Sequence, residues 1–303
     1  MGNIFKRFFE KVKFKRDQYK VKHDPEYFSK KLYREKFGRE LDLNDPRALT
    51  EKLMYTKLKI YWDDPLIAQC ADKYAVRKFV EDAGCGETLI GLIGAWDKAD
   101  DIDWDILPDR FVLKCNHGCA MNIICRDKSK LDKEDAKKKL DEWMKTDYGY
   151  HNAQEGIYRN IKHKIIAEEF IETSDGRPPK DYKFFCSYGK VKFVMTCSDR
   201  EENSHKVSIN HYSIDWKKID VKRAGYDSDK GLERPENLDK MIAYAEKLSE
   251  KFPLVRVDLY DEGKIIFGEL TFTPGACLLK FEPDICDFKL GEMFPEKSRM
   301  KKL

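Results

Sequence analysis

Apolar residues recur along the chain at two spacings, and the change from one to the other divides it. Over residues 1–22, Ile4, Phe5, Phe8, Phe9 and Val12 fall three and four residues apart with lysines and arginines between them, the spacing of an amphipathic helix. Helical spacing continues from about 23 to 85. Asn44-Asp45-Pro46 reads as a helix start, with proline at an early helical position. Pro65 to Glu81 reads as one helix, with Ile67, Ala71, Tyr74, Ala75 and Phe79 on its apolar face, and Gly84-Cys85-Gly86 closes the region.

The period then shortens to two. Arg110 to Cys115 predicts a short strand, Asn116 to Asn122 a tight loop, and Ile123 to Cys125 a second strand. Lys130 to Lys145 predicts a charged helix with Leu131, Leu140 and Trp143 as its apolar positions. Lys164 to Phe170 reads as a strand. Tyr182 to Ser187 and Lys190 to Thr196 form a hairpin across Tyr188-Gly189, Leu238 to Phe252 a helix, and Val255 to Tyr260 with Ile265 to Leu270 a second hairpin. Strands and helices mix without regular βαβ alternation, so the expected class is α+β.

Charge refines this picture. The 58 basic and 55 acidic side chains nearly cancel, to +3, which speaks against a general nucleic-acid binder. The basic excess is local: residues 1–22 hold eight Lys and Arg against Glu10 and Asp17, a net +6. Such a stripe suits a helix lying on an anionic membrane surface, where each cation contributes about 1 kcal/mol. It suits equally a surface helix that packs Phe5, Phe8 and Phe9 on the protein body, and both readings stand. Met1-Gly2 without Ser or Thr at position six does not support a myristoyl anchor. Leu89 to Trp96, the longest apolar run, falls far short of the ~20 residues that span a bilayer. Nine scattered cysteines with no C-x-x-C, in a large chain with no cleavable leader, predict reduced thiols and a cytoplasmic address, peripheral to the inner face of the membrane on the first reading of residues 1–22.

The densest chemistry lies between Arg256 and Gly275. Period two puts Arg256 and Asp258 on one face of their strand. The hairpin brings Glu269 alongside, on the matching face if the register is simple. Two carboxylates among the hydroxyls of Thr271 and Thr273 make a hard-cation site, and Mg²⁺ is commonly held by one or two carboxylates plus phosphate oxygens and water. Arg256 on the same face suits stabilisation of charge on a phosphoryl group. Acids of this kind are expected to be dispensable for folding.

This run, ending E-x-T-x-T-P-G, resembles the metal-binding strand pair of ATP-grasp ligases, written R-x-D…E-x-N-x-x-P-G. Upstream, Phe111-Val-Leu-Lys114 followed by His117-Gly118-Cys-Ala-Met-Asn122 looks like the nucleotide lysine and small-residue phosphate loop of that superfamily. Ile165-Ile-Ala-Glu168-Glu169-Phe170-Ile171 looks like the strand leading into its adenine-binding hinge, and Asp181-Tyr-Lys183-Phe-Phe185 follows. The strings L-P-D-R-F-V-L-K-C-N-H-G, I-I-A-E-E-F-I, D-Y-K-F-F-C and V-R-V-D-L-Y-D…F-G-E-L-T-F-T-P-G narrow the resemblance to the TupA-like, teichuronopeptide-biosynthesis branch. It covers roughly residues 40 to 290, and A-D-K-Y-A-V-R at 71–77 also fits.

The resemblance implies an ATP-grasp fold: after the basic helix 1–22 and a mainly helical region 23–106, a small lobe 107–166 with the phosphate loop and a C-terminal lobe 167–303 with the metal site. Lys114 would contact the α- or β-phosphate. Asn116 to Asn122, with His117, Gly118 and Asn122, would form a mobile lid over the phosphates. Glu168 and Glu169 would sit near adenine and ribose, and Lys183 near nucleotide or acceptor. Asp258 and Glu269 would ligate Mg²⁺, with Thr271 standing where most relatives have Asn, and Arg256 beside the γ-phosphate. His205-Lys206 reads either as a basic wall near the phosphates or a glycan carboxylate, which would make Lys206 catalytic alongside Arg256, or as a solvated loop.

The implied function is an ATP-dependent carboxylate–amine ligase that works through an acyl-phosphate. It would join an amine or amino acid to a carboxylate-bearing precursor of a cell-surface polysaccharide: capsule, O-antigen or teichuronopeptide-like. A glycosyltransferase of the same pathway, holding a metal-bound nucleotide-sugar on Asp258 and Glu269, is the alternative; a nucleotide-binding protein without catalysis is a third. Three further signals carry bland readings. Cys115, His117 and Cys119 lack a usual zinc spacing. The D-x-D within Asp101-Ile-Asp103-Trp-Asp105 is more often a solvated turn. The Tyr148-to-Tyr158 stretch suits sugar stacking or satellite core equally.

Overall fold

The structure is a computed structural model and describes residues 19, 22–151, 156–198, 207–228 and 231–302. The basic N-terminal stretch therefore lies almost wholly outside the described residues, and so do His205 and Lys206.

The first described helix, α1 (Pro25–Phe37), begins where Asp24 accepts the Tyr27 N–H at 2.9 Å and proline takes the first helical position. It ends at Gly38, whose positive φ of 68° suits a residue without a Cβ. Next come α2 (Leu49–Tyr55), which continues as a π-helical segment Thr56–Tyr61, then α3 (Pro65–Ala71) and α4 (Val76–Asp82). Two expectations need correction. Asn44-Asp45-Pro46 does not start a helix: the Asp42 carboxylate accepts the N–H groups of Asn44 and Asp45 and turns the chain, so α2 starts only at Leu49. Pro65 to Glu81 is two helices. Asp72 breaks it by accepting the Tyr74 and Ala75 N–H groups and a tertiary hydrogen bond from Asn116 Nδ2 at 2.8 Å.

Four antiparallel strands form the first sheet: β1 (Leu92–Trp96), β2 (Phe111–Cys115), β3 (Asn122–Cys125) and β4 (Ile165–Glu169), in the order β1-β4-β2-β3. The mainly helical region thus supplies edge strand β1, and β4 runs to Glu169. Between β3 and β4 lie α5 (Lys133–Met144) and the single turn α6 (Tyr148–His151). Tyr148 and Tyr158 are buried edge to face, 5.3 Å between ring centres, and belong to the core. The D-x-D segment is a solvated turn in which Asp103 accepts the Asp105 N–H.

The second sheet is also antiparallel. It contains β5 (Asp181–Ser187), β6 (Lys190–Ser198), β7 (Ser208–Tyr212), β9 (Val255–Asp261) and β10 (Ile265–Thr271), in the order β10-β9-β5-β6-β7. A two-residue strand β8 (Lys222–Arg223) pairs separately with β11 (Phe281–Glu282). The remaining helices are α7 (Leu238–Ser249) and α8 (Ile285–Glu292).

Alternation splits the second sheet into two faces. Phe184, Val194, Val257, Leu259 and Leu270 share one core with Leu238, Met241, Ala245 and Leu248 of α7. On the opposite face Phe185, Phe193, Met195, Cys197 and Ile209 join a second core with Leu49 and Leu53 of α2 and Leu290 of α8. That second core covers only part of its face. The remainder carries Asp181, Lys183, Arg256, Asp258, Glu269 and Thr271. None of the nine cysteines is in a disulfide, and no described helix is long and apolar enough to cross a membrane.

Candidate active site

The position of Glu269 depends on one glycine. From the turn inward, Ile265 pairs with Asp261, Ile266 with Tyr260 and Phe267 with Leu259. Continued regularly, this register would set Glu269 opposite Val257, on the apolar face. Instead the register shifts between Phe267 and Glu269, leaving Gly268 as the extra residue of a β-bulge. Glu269 then pairs directly with Asp258, and Thr271 with Arg256. The simple register expected from the sequence is thus corrected by one residue, and the correction is what puts both acids on one face. A Cβ on Gly268 would come within 3.0 Å of the Asp258 carbonyl oxygen and 3.1 Å of the Tyr260 ring, so the close approach favours glycine.

Around the two acids the hydrogen bonds are short and charge-assisted. Arg256 grips Asp258 with Nε and Nη2, both at 2.7 Å, and its Nη2 also reaches Glu269 Oε1 at 3.2 Å and Thr271 Oγ1 at 3.0 Å. Thr271 donates to Glu269 at 2.7 Å. Lys183 Nζ lies 2.5 Å from Asp258 Oδ2 and 3.3 Å from Asp181. Burial alone would lower the Lys183 pKa; Asp258 and Asp181 outweigh it and raise it, so the ammonium stays charged.

The first sheet supplies the facing wall. Lys114 on β2 donates to Glu168 on β4 at 2.5 Å, and Arg77 approaches the other Glu168 oxygen at 3.7 Å. Lys73 Nζ holds the Gly118 carbonyl at 2.5 Å, anchoring the loop between β2 and β3. A Cβ on Gly118 would fall 2.7 Å from the Tyr148 ring, so the chain passes there only as glycine. Asn116 pins the base of the loop, donating to Asp72 and to the Lys162 carbonyl and accepting the Lys164 N–H.

The two walls enclose a cleft of about 300 Å³. Lys73, Arg77, Lys114, Glu168, Lys183, Asp258 and Glu269 line it, with apolar cover from Val76, Ile90, Met121 and Phe267. With this geometry in view, the sequence model that matches the chain is decisive: TupA-like ATPgrasp, over residues 51–295. The chain belongs to that family. No curated protein sequence matches it. Among solved structures it is similar to an ADP complex of PurK, an N5-carboxyaminoimidazole ribonucleotide synthetase (14% identity, 68% of this chain, 45% of that one, TM-score 0.41). It is similar also to an L-amino acid ligase from Bacillus licheniformis (14%, 75% and 49%, 0.46) and to D-alanine-D-alanine ligase from Helicobacter pylori (14%, 75% and 59%, 0.40). The chain spans about half the length of these proteins.

For a TupA-like ATPgrasp chain, the residues singled out by sequence fall into three groups. Lys114, Asn122, Glu168, Lys183, Asp258 and Glu269 line the cleft. Arg256 and Thr271 are buried against Asp258 and Glu269 and reach the cleft through them. His117, Gly118 and Glu169 do not form its wall. The His117 ring turns inward, stacks on His163 with centres 3.5 Å apart, and bonds the Trp143 carbonyl at the end of α5. Burial and the neighbouring His163 push its pKa down to about 4, so it stays neutral at physiological pH. Glu169 alternates to the other face of β4 and lies against Gly91. Lys73 and Arg77 were not assigned from the sequence, although the string containing them was noted.

The donor set fits Mg²⁺. Asp258 and Glu269 present hard oxygens side by side, and among the described residues no three His, Cys, Asp or Glu converge, so phosphate oxygens and water would complete the shell. Burial alone would push the Glu269 carboxyl up; Lys73, Arg256 and Lys183 outweigh it and hold it down at about 2. Glu269 is therefore ionised at any physiological pH. A depressed carboxylate contributes stability above its ordinary 4.5, and this contribution is lost as the pH falls toward 2. A ¹³C NMR titration of the Glu269 carboxyl should show a midpoint near 2, and Lys73→Met should move it upward. A wild-type midpoint at 4.5 would mean that the cations do not converge on it.

Proposed function

We propose that the chain is an ATP-dependent carboxylate–amine ligase. The observation that carries this reading is the direct pairing of Asp258 with Glu269 across the Gly268 bulge, opposite a wall bearing Lys73, Arg77 and Lys114. ATP lies in the cleft, its base against Val76, Ile90, Met121 and Phe267, and its phosphates toward Lys114 and Lys73. Lys114 is paired with Glu168, and when a phosphate oxygen takes up the lysine, Glu168 keeps Arg77, whose Nη1 lies 3.7 Å from its other oxygen.

Asp258 and Glu269 would hold Mg²⁺, which when bound would neutralise charge on the phosphates being separated. Arg256 and Lys183 keep both carboxylates in place and add positive charge where the γ-phosphoryl group transfers. The acceptor carboxylate attacks the γ-phosphorus in line and ADP leaves; an amine then attacks the acyl-phosphate and phosphate leaves, forming an amide. Alignment of the two reactants in the cleft supplies much of the acceleration. The acceptor is a carboxylate-bearing glycan precursor of a surface polysaccharide and the amine an amino acid, a reading supported by the TupA-like family. The N-terminal net charge of +6 supports a peripheral site of action at an anionic membrane.

Incubating the protein with Mg²⁺, ATP, glucuronic acid and hydroxylamine tests the reaction class. The expected result is ADP with a hydroxamate, because hydroxylamine traps an acyl-phosphate. Release of UDP or GDP from a nucleotide-sugar, with no ADP from ATP, would instead establish the glycosyltransferase.

A further inference from the structure

Arg223 is a half-buried guanidinium with few protein partners. Its one hydrogen bond among the described residues runs from Nη1 to the Lys280 carbonyl at 2.7 Å, although the group has five N–H donors. No described carboxylate lies within ion-pair distance of it. Asp287, the carboxylate among the described residues whose field reaches it, is committed to Thr50 and Arg39. Burial accordingly lowers the Arg223 pKa. A guanidinium partly withdrawn from water, with no acid paired to it, keeps N–H groups available to an oxyanion.

The group is also held in place. It lies over the rings of Tyr226 and Phe281, 6.0 and 5.8 Å from their centres, and the backbone pairing of Arg223 with Phe281 fixes the strand that carries it. Its free end faces the segment that follows the metal-binding strand: a Cβ on Gly275 would come within 3.5 Å of Nη2. There the chain takes three successive left-handed residues, Gly275, Ala276 and Cys277, with φ of 55°, 56° and 62°. Two of these are not glycine. Such conformations cost on the order of 1–3 kcal/mol each and persist where the surroundings over-determine them, commonly beside a ligand. From Glu269, the chain needs only six residues to reach Gly275.

We propose that Arg223 is an oxyanion dock for the non-nucleotide substrate, taking a carboxylate or phosphate group beside Gly275; this rests on the ligase reading of the adjoining cleft. A guanidinium presents two parallel N–H groups to either oxyanion. The docked group differs from the carboxylate that is phosphorylated. It is a second anionic handle of the acceptor or the carboxylate of the incoming amino acid, and it orients that molecule toward Glu269 and Asp258.

Phenylglyoxal labelling of the full-length wild-type protein, read at the Arg223 peptide by mass spectrometry, tests the dock. Probes are inorganic phosphate, glucuronic acid, L-glutamate and MgATP, with MgATP binding measured on the same sample. Labelling is expected to slow about fivefold with phosphate or with a carboxylate probe, the factor reached at about four times Kd, and to be unchanged by MgATP. Protection by phosphate alone assigns the handle as a phosphate; protection by glucuronic acid or L-glutamate assigns it as a carboxylate. Equal labelling with every oxyanion overturns the dock, and if MgATP still binds, the ligase reading survives it. Protection by MgATP as strong as by any other probe would also overturn it, placing Arg223 in the nucleotide site. Protection by an oxyanion in a protein that does not bind MgATP would keep the dock and remove the ligase reading.

Discussion

Glu269→Gln is expected to reduce ATP turnover by on the order of 10²–10³, the scale on which loss of one preorganised electrostatic contact at a reacting centre operates. The fold should be retained. The amide keeps the volume of the acid and an oxygen for the Arg256 and Thr271 hydrogen bonds, while the charge proposed to face the metal is lost. Asp258→Ala should behave differently. Asp258 is buried and is gripped by Arg256 at 2.7 Å twice and by Lys183 at 2.5 Å. Removing it takes the nearest acid from two buried cations, leaving Arg256 with Glu269 at 3.2 Å and Lys183 with Asp181 at 3.3 Å, at a cost of up to about 3–5 kcal/mol for breaking a buried pair, or a Tm lower by roughly 10 °C in a chain of this size. The expectation that site acids are dispensable for folding is thus corrected for Asp258, because its charge already compensates two neighbours. Thermal unfolding and an ADP-release assay on both variants check this; Glu269→Gln with wild-type turnover would remove the catalytic assignment.

Gly268→Val should abolish activity by changing the register. A β-branched side chain at 268 crowds the Asp258 carbonyl oxygen and the Tyr260 ring, and a strand that pairs regularly instead puts position 268 opposite Asp258 and moves Glu269 opposite Val257 into the apolar core. That places a carboxylate among Val257, Leu259 and Phe267, a burial that costs several kcal/mol unless the acid protonates or the strand slips. The expected outcome is no detectable ADP formation and a marked fall in Tm. Gly268→Ala is the milder variant: its Cβ meets the Asp258 carbonyl oxygen at 3.0 Å, so the neighbouring strand must give by a few tenths of an ångström. If Gly268→Val still binds Mg²⁺ and turns over ATP, the bulge does not set the position of Glu269.

The sheets and their hairpins were legible because alternation is a local signal: Asp181–Ser187, Lys190–Ser198, Val255–Asp261 and Ile265–Thr271 appear within two residues of where the pattern places them. The convergence of Lys114, Glu168, Lys183, Asp258 and Glu269 was legible through the linked motifs. The Gly268 bulge was not, since counting by twos from the turn assumes no inserted residue, and a glycine inside a strand is the one mark that it leaves. Asp72 ends a helix that the apolar spacing would continue, because its carboxylate serves the next turn and Asn116 together. Lys73 and Arg77 reach the cleft only through that break. His117 turns inward for a reason no local pattern carries, its stack on His163, which lies 46 residues later. The two-residue strands Lys222–Arg223 and Phe281–Glu282 are too short to show a period.

The account stands most directly on whether nucleotide binding in this cleft runs through a cation held by Asp258 and Glu269. Calorimetric titration of the non-hydrolysable analogue AMPPNP, with Mg²⁺ and again with EDTA, measures that on wild type and Glu269→Gln. Chelation is predicted to weaken wild-type binding by at least about tenfold, some 1.4 kcal/mol, and to make little further difference in Glu269→Gln. Equal wild-type affinity with Mg²⁺ and with EDTA would contradict it.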